Sequence, residues 1–342
     1  MERPIIAVPI GDPAGIGPEI VAKAFADENV QRTARCLAIG DPAVLEQAIR
    51  ITGAPLRLHA VQEPQDGSYE EGILNVIPIN NIDMAHFRFG AVDGMCGKAA
   101  YEYIAKSIEL ALNKKAAAVA TTPINKEALK AGGIPFIGHT EIFGELTGSH
   151  DPLTMFEVHG LRIFFLTRHV SLRQACTMVT KDRIKDYVKR CSAMLKTLGV
   201  TSGTMAIAGL NPHSGEHGLF GTEEVTDVEP AVRELCAEGY DVCGPIGADS
   251  VFHLALQGKF NSVLSLYHDQ GHIAAKTLDF ERTISVTGGM PILRTSVDHG
   301  TALDIAGTGA ASAVSMIEAI RLGAHYSIHF TGHDAAASCK NM

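Results

Sequence analysis

The sequence predicts an α/β fold, on three observations. Short apolar, β-rich runs alternate with longer stretches of helical period. The first run ends in a Gly/Pro turn that opens a helix, and an internal segment repeats apolar residues at spacings of three and four. Ile5-Ile6-Ala7-Val8-Pro9-Ile10 reads as the first strand, closed by Gly11-Asp12-Pro13. Pro18 marks a helix start over 18–26, because its missing N–H has no partner to lose at the first helical position. Tyr101, Ile104, Ile108, Ala111 and Leu112 share one face of an amphipathic helix that packs on the sheet. Further strands are expected at 116–120, 154–158, 163–166, 205–208 and 263–267, with helices over 180–198, 222–238 and 309–323. The alternation is that of a parallel sheet covered by helices on both faces.

With 342 residues, 46% apolar and 20% charged, the chain is globular and long enough for two core-bearing layers or domains. Acidic residues outnumber basic ones 38 to 29, a net charge of -9, which offers no cationic footprint for nucleic acid. Apolar runs such as Leu161-Arg162-Ile163-Phe164-Phe165-Leu166 are strand-sized, far below the roughly 20 residues that cross a bilayer, so no membrane partner is expected. The first residues enter a strand pattern without a cationic leader and apolar core, from which a cytoplasmic location is expected. Cys36, Cys96, Cys176, Cys191, Cys236, Cys243 and Cys339 form no C-x-x-C pair and read as reduced, mostly packed thiols.

Several loops carry residues suited to chemistry. Gly11-Asp12-Pro13-Ala14-Gly15-Ile16-Gly17-Pro18-Glu19 either brings backbone amides close to an anion or nucleotide, or is simply a tight strand-to-helix turn. It matches neither G-x-G-x-x-G nor G-x-x-x-x-G-K-[ST]. His169, His213 and His268 stand at loop or strand ends; imidazoles there suit a divalent cation, and the alternative for each is a hydrogen-bonded structural histidine. His325, His329 and His333 recur every four residues but run into Gly332 at a terminal segment, which reads as a solvated tail. His272, four residues after His268, reads as a buried or capping residue. Gly138-His139-Thr140-Glu141, Lys276 and Arg294 are candidates for binding an anion, with solvated surface as the alternative for the two cations.

Taken together, these motifs resemble the 4-hydroxythreonine-4-phosphate dehydrogenase family of vitamin B6 synthesis. The blocks occur in order along nearly the whole chain: Gly11 to Glu19, Thr122-Pro123-Ile124-Asn125-Lys126, Gly138 to Glu141, Gly209-Leu210-Asn211-Pro212-His213, Gly221-Thr222-Glu223-Glu224, Tyr267-His268-Asp269-Gln270-Gly271, and Arg294 to Ala302. The resemblance implies that His169, His213 and His268 hold one divalent cation (zinc, magnesium, cobalt or manganese), with ligands drawn from both subunits of a homodimer. It also implies that His139, Thr140, Lys276 and Arg294 bind a phosphorylated substrate. Where the family has a phosphate-contacting asparagine, this chain has Ser285, which still offers one hydroxyl donor. The Tyr-His-Asp-Gln-Gly-His form ending in His272 is similar to a branch that oxidises 4-phosphorylated threonate or erythronate.

His299-Gly300-Thr301-Ala302-Leu303-Asp304-Ile305-Ala306-Gly307 is also similar to the adenosine-binding loop of isopropylmalate and isocitrate dehydrogenases. That likeness implies a two-domain α/β/α architecture of their type, not a Rossmann fold, with His299, Gly300, Thr301 and Asp304 contacting the cofactor. An acidic Asp304 favours a free ribose 2′-hydroxyl, hence NAD; its structural alternative is a helix cap before Ile305. The expected domains are 1–130 plus 300–342, cofactor-binding, and 131–299, which binds metal and substrate and dimerises.

The implied reaction is NAD-dependent oxidation followed by decarboxylation of a 4-phosphorylated four-carbon hydroxy acid, first 4-hydroxythreonine 4-phosphate, giving 3-amino-2-oxopropyl phosphate. Phosphorylated threonate or erythronate is the alternative, and a catalytically silent phosphate- or nucleotide-binding protein on the same fold is a third reading. Asp249 and Asp269 are placed to orient imidazoles or accept the hydroxyl proton, or else to cap helices.

Overall fold

The computed structural model describes residues 2–330. Its twelve strands are β1 (Ile5–Pro9), β2 (Arg35–Gly40), β3 (Arg57–Ala60), β4 (Ile73–Pro78), β5 (Ala118–Thr121), β6 (Leu153–Val158), β7 (Leu161–Phe165), β8 (Met205–Ala208), β9 (Val242–Ile246), β10 (Ser262–Ser265), β11 (Ile284–Gly288) and β12 (Arg294–Val297). The chain divides into two compact units, one up to Pro152 and again from Thr287, the other Leu153–Val286. Residues 131–152 and 287–299, expected in the second domain, thus lie in the first unit.

In the first unit the strand order is β3-β4-β2-β1-β5-β12, and each neighbouring pair runs parallel. Strands buried on both faces are near-continuous apolar runs; Ile6, Val8, Leu37, Ile39, Leu74 and Val119 are fully buried. Helix Gly94–Leu112 packs on β1, β2 and β5, and helix Val314–Ser327 on β12 and β5. Ile104, Ile108 and Ala111 face inward as expected, with Tyr103 fully enclosed beside them. Leu112, the last residue of its helix, is instead 42% exposed because the helix ends before the stripe can bury it. The C-terminal helix starts at Val314, not near 309, because 303–309 are turns. His325 lies in that helix's last turn and His329 beyond it; His333 and Cys339 lie outside the described residues.

In the second unit the order is β6-β7-β10-β8-β9. The expectation of a wholly parallel sheet fails here: β6 and β7 pair antiparallel across His159-Gly160, both at positive φ (51° and 82°), the conformation that favours a two-residue hairpin. Helix His268–Leu278 packs on β7, β6 and β10 and Val251–Leu256 on β10 and β7, while Lys181–Thr197 is capped by the Thr180 side chain. Phe156, Phe165, Ile163, Val251, Phe260 and Val263 belong to one buried cluster. The helix expected over 222–238 is a π-turn, Glu224–Val228, followed by the α-helix Glu229–Ala237 with Pro230 in its first turn.

Among the described residues all six cysteines are free thiols, with Cys96 and Cys191 buried. No helix is long and apolar enough to cross a membrane among the described residues.

A Cβ on Gly17 would stand 2.1 Å from the Ile10 carbonyl oxygen, and backbone cannot move aside cheaply. Gly17→Ala is therefore expected to destabilise the protein by about 2 kcal/mol or more in denaturant unfolding.

Candidate active site

Two groups of candidate residues lie in the first unit. Arg294 opens β12 at 5% exposure, with its Nε donating to Thr121 Oγ1 (3.2 Å) and Nη1 to Thr287 Oγ1 (3.0 Å). Its guanidinium also lies 5.1 Å from the centre of the Phe143 ring. Both hydrogen-bond partners are neutral hydroxyls. Burial lowers the Arg294 pKa to about 10, so it remains a cation at neutral pH. Phe143 comes from helix His139–Thr147, whose N-cap is Gly138 and whose first turn has no side-chain cap. His139 sits at the start of that helix, its Nε2 sealed from solvent without a partner among the described residues. Burial, then the charge of Arg294, holds His139 well below the ordinary imidazole range. Thr140, one residue on, is exposed. Uncapped helical N–H groups, a buried cation and an unpartnered ring nitrogen are groups whose chemistry suits an anion. The surface alternative for Arg294 is overturned by its burial.

The Gly11–Glu19 turn differs from the anion-cradle reading, because four of its amides are already committed. Asp12 N–H donates to Pro123 O (3.1 Å), Ala14 N–H to Asp12 Oδ1 (2.9 Å), Gly15 N–H to Asp12 O (3.0 Å) and Ile16 N–H to Thr301 O (3.0 Å). Gly15 packs on Thr301, where an added Cβ would sit 2.9 Å from the threonine Cβ. The turn is the seat of the 299–309 segment. Glu19, fully buried, accepts from Gly307 N–H and, at 2.7 Å, from Gly309 N–H. Lys23 Nζ donates to Gly309 O and Ala311 O, each at 2.7 Å. Thr301 is buried, His299 Nδ1 pairs with Gly300 O at 3.0 Å, and Gly300 and Asp304 are exposed. The cap alternative for Asp304 falls, since no helix begins at Ile305. Asp12 stands apart: it is 1% exposed and its Oδ2 has no partner among the described residues. Burial pushes its carboxyl up to about 6; the Ala14 N–H opposes this and the Asp93 charge adds to it.

In the second unit, His169 and His268 lie with ring centres 5.9 Å apart and line a pocket of about 300 Å³ with Arg168, Tyr267 and Asp269. Asp269 Oδ1 is 2.7 Å from His268 Nδ1, a contact that orients the ring. His272 stacks on His268 (3.6 Å, 11°), bonds the His268 carbonyl through Nδ1 (2.8 Å) and rests on Phe156 and Phe165. His213 is exposed on a segment whose non-glycine residues His213, Ser214, Glu216 and His217 all have positive φ, from 43° to 55°. Such a run is strained and persists only when its surroundings hold it. Buried Glu224 supplies that hold, accepting from Leu210 N–H (2.8 Å), Asn211 N–H (2.7 Å) and Asn211 Nδ2 (2.8 Å). Among the described residues, no three His, Cys, Asp or Glu side chains of one chain are grouped to hold a metal. The pair His169 and His268 fits two ligand positions, one with its tautomer set by a carboxylate.

Lys276 lies over the Phe280 ring at 5.1 Å, Ser285 is buried in β11, and Asp249 is exposed one residue before the helix N-cap Ser250. Asp249 and Asp269 therefore cap neither helix. Sequence reasoning missed Glu19, Glu224 and Gln270 as supports. Gln270 accepts from Leu266 N–H (2.7 Å) and donates to Gly209 O (2.8 Å), joining the loops that follow β10 and β8. The signal was an acidic or amide side chain inside a motif that otherwise reads as turn or apolar.

A family model described as pyridoxal phosphate biosynthetic protein PdxA matches residues 32–323. A Fusobacterium nucleatum protein provisionally named D-threonate 4-phosphate dehydrogenase is 60% identical over 328 residues, 96% of this chain and 98% of its own length. Among solved structures, a 4-hydroxythreonine-4-phosphate dehydrogenase from Klebsiella pneumoniae is 38% identical with TM-score 0.88, covering 95% of this chain and 98% of that one. One from Burkholderia phymatum is 39% identical with TM-score 0.85, covering 95% and 99%.

Asp12 makes stability depend on pH. Its pKa is raised from 3.8 to about 6, so between those values the native state keeps a proton that the unfolded chain releases. Its stabilising share is complete below the lower value and is lost as pH rises through the higher one, a swing on the order of 3 kcal/mol. Asp12→Asn should therefore gain on the wild type in urea unfolding as pH goes from about 4 to 7.5. Glu224→Ala, which takes the acceptor from the half-buried Leu210 and Asn211 amides, is expected to destabilise by roughly 1–3 kcal/mol and to speed amide exchange at both residues.

Proposed function

Because this chain belongs to the PdxA family of pyridoxal phosphate biosynthetic proteins, we propose that it is an NAD-dependent, divalent-metal-assisted dehydrogenase that oxidises and decarboxylates a 4-phosphorylated four-carbon hydroxy acid. The observation that carries this reading is the buried, carboxylate-free Arg294 beside the unpartnered Nε2 of His139 at an uncapped helix start. A phosphate dianion supplies the charge and acceptors that arrangement lacks. Thr140, Lys276 and Ser285 join Arg294 and His139 as substrate-binding residues on this reading, and His299, Gly300, Thr301 and Asp304 hold the dinucleotide.

On this reading His169, His213 and His268 hold the cation, with ligands drawn from both subunits of a homodimer, as the family likeness implies. Bound there, a divalent ion (zinc, magnesium, cobalt or manganese) supplies Lewis acidity that lowers the substrate hydroxyl pKa and stabilises negative charge on oxygen. Asp269 fixes the His268 ring, and Asp249 or Asp269 takes the hydroxyl proton. NAD, held by His299, Gly300, Thr301 and Asp304 on this reading, would supply the hydride acceptor, and the β-keto acid so formed would lose carbon dioxide. A cytoplasmic location belongs to the same proposal.

The favoured substrate is D-threonate 4-phosphate, the name carried by relatives at 60% identity, and it agrees with the branch to which His272 belongs. The second reading, 4-hydroxythreonine 4-phosphate, has the support of the family description and of solved relatives at 38–39% identity. Both present a phosphate at one end and a carboxylate at the other; they differ in a hydroxyl against an amine.

NADH absorbance, followed with 4-phosphothreonate, 4-phosphoerythronate and 4-hydroxythreonine 4-phosphate in parallel, should rise fastest with the first. Tight binding of such acids with turnover of none would point to a silent binding protein and defeat the enzyme reading. Arg294→Ala is expected to raise the substrate KM by about 100-fold or more, the loss of a charge-assisted contact in a buried site. His213→Ala should abolish turnover while leaving unfolding midpoints near the wild type, and activity that survives a strong chelator would count against the cation.

A further inference from the structure

Asp12 lies in the loop that leaves β1, next to Thr122-Pro123, which leave the adjacent parallel strand β5. The C-terminal ends of neighbouring parallel strands are where open α/β sheets take their ligands. One Asp12 oxygen is filled by the Ala14 N–H, whereas Oδ2 is buried with no donor among the described residues. The polar groups around it have little to offer, the Cys96 thiol being a weak donor. Thr122 Oγ1 donates to Pro9 O at 2.8 Å, the neighbouring amides are bound as described, and Asp93 and the Cys96 thiol are the other titratable groups facing it. No cation is among them.

The same turn grips the 299–309 segment directly, through Ile16 N–H on Thr301 O and the close packing of Gly15 on Thr301. A ligand held by His299 to Asp304 therefore comes up against the turn that carries Asp12. Taking the dinucleotide reading of that segment as its basis, we propose that Asp12 is a cofactor-binding residue whose Oδ2 accepts a hydrogen bond from a hydroxyl or carboxamide N–H of the bound dinucleotide. A phosphate is excluded as the partner, because two anionic groups would then share one buried site. The donors a dinucleotide offers are its ribose hydroxyls, its adenine amine and the nicotinamide carboxamide. The raised carboxyl pKa agrees with a group that lacks a donor until ligand arrives.

Calorimetric titration of NAD+ and of ADP-ribose into the wild type and into Asp12→Asn tests this. In the variant, the amide oxygen takes the Ala14 N–H and the amide NH2 then faces the ligand, so the charged acceptor is lost for either partner and an N–H partner meets a second donor. NAD+ affinity is expected to fall by about tenfold or more, with an unfolding midpoint at or above the wild type and an NAD KM raised more than kcat is lowered. An equal loss with ADP-ribose places the partner on the adenosine diphosphate ribose portion; a loss confined to NAD+ places it on the nicotinamide. Wild-type binding of NAD+ that Asp12→Asn matches within twofold overturns the assignment of Asp12 alone. A wild type that binds neither NAD+ nor NADH overturns the dinucleotide reading and this proposal with it.

Discussion

A guanidinium buried without a carboxylate is the constraint on which the first unit is organised. Arg294 is fixed on one side by the Thr121 hydroxyl from β5, on another by Thr287, and its face is covered by Phe143. Neutral hydroxyls orient a cation but leave its charge uncompensated, which is unfavourable in a low-dielectric setting. The neutral His139 and the uncapped helix start leave that imbalance in place. The sheet, the helix and the turn that bring these groups together thus confer on an incoming anion an advantage that a solvated surface cation would not give.

The second unit works differently. Its imidazoles are exposed or half-buried, and their placement comes from polar side chains that grip backbone from beneath. Glu224 binds the amides ahead of His213, Gln270 joins the loops after β8 and β10, and Asp269 with His272 brackets the His268 ring. Each support is one to three hydrogen bonds, yet each removes freedom from the imidazole or loop it bears on. The left-handed run at His213 to His217 is the dearest part of this arrangement, since four non-glycine residues adopt it.

Elements with a period were legible in the sequence: β1 and its helix, the inward face of Ile104, Ile108 and Ala111, and β8 to the residue. β2, β3, β4, β9, β11 and β12 escaped, being four to six residues long and without an alternation to mark them. In β12 the residue that matters most, Arg294, looks like surface until the strand buries it. The glycines of the first turn were visible, but what they approach was not. Gly11 and Gly17 make room for the carbonyls of Pro123 and Ile10, contacts from distant or reversed chain that no local pattern encodes. Likewise the pairing of Asp269 with His268 is adjacent in sequence and could be anticipated, whereas the hold of Glu224 on residue 210 depends on how the intervening loop turns back.

The first unit is discontinuous in the chain, and that has a bearing on how it is made. On a ribosome, β5 emerges well before β12, so one side of the growing sheet lies bare while the whole inserted unit is translated. The clasp of Glu19 and Lys23 on residues 307–311 likewise joins helix Gly17–Phe25 to residues translated long after it. A nascent chain of this protein therefore carries an unfinished sheet edge while the inserted residues are made, and its quality control has to guard that edge.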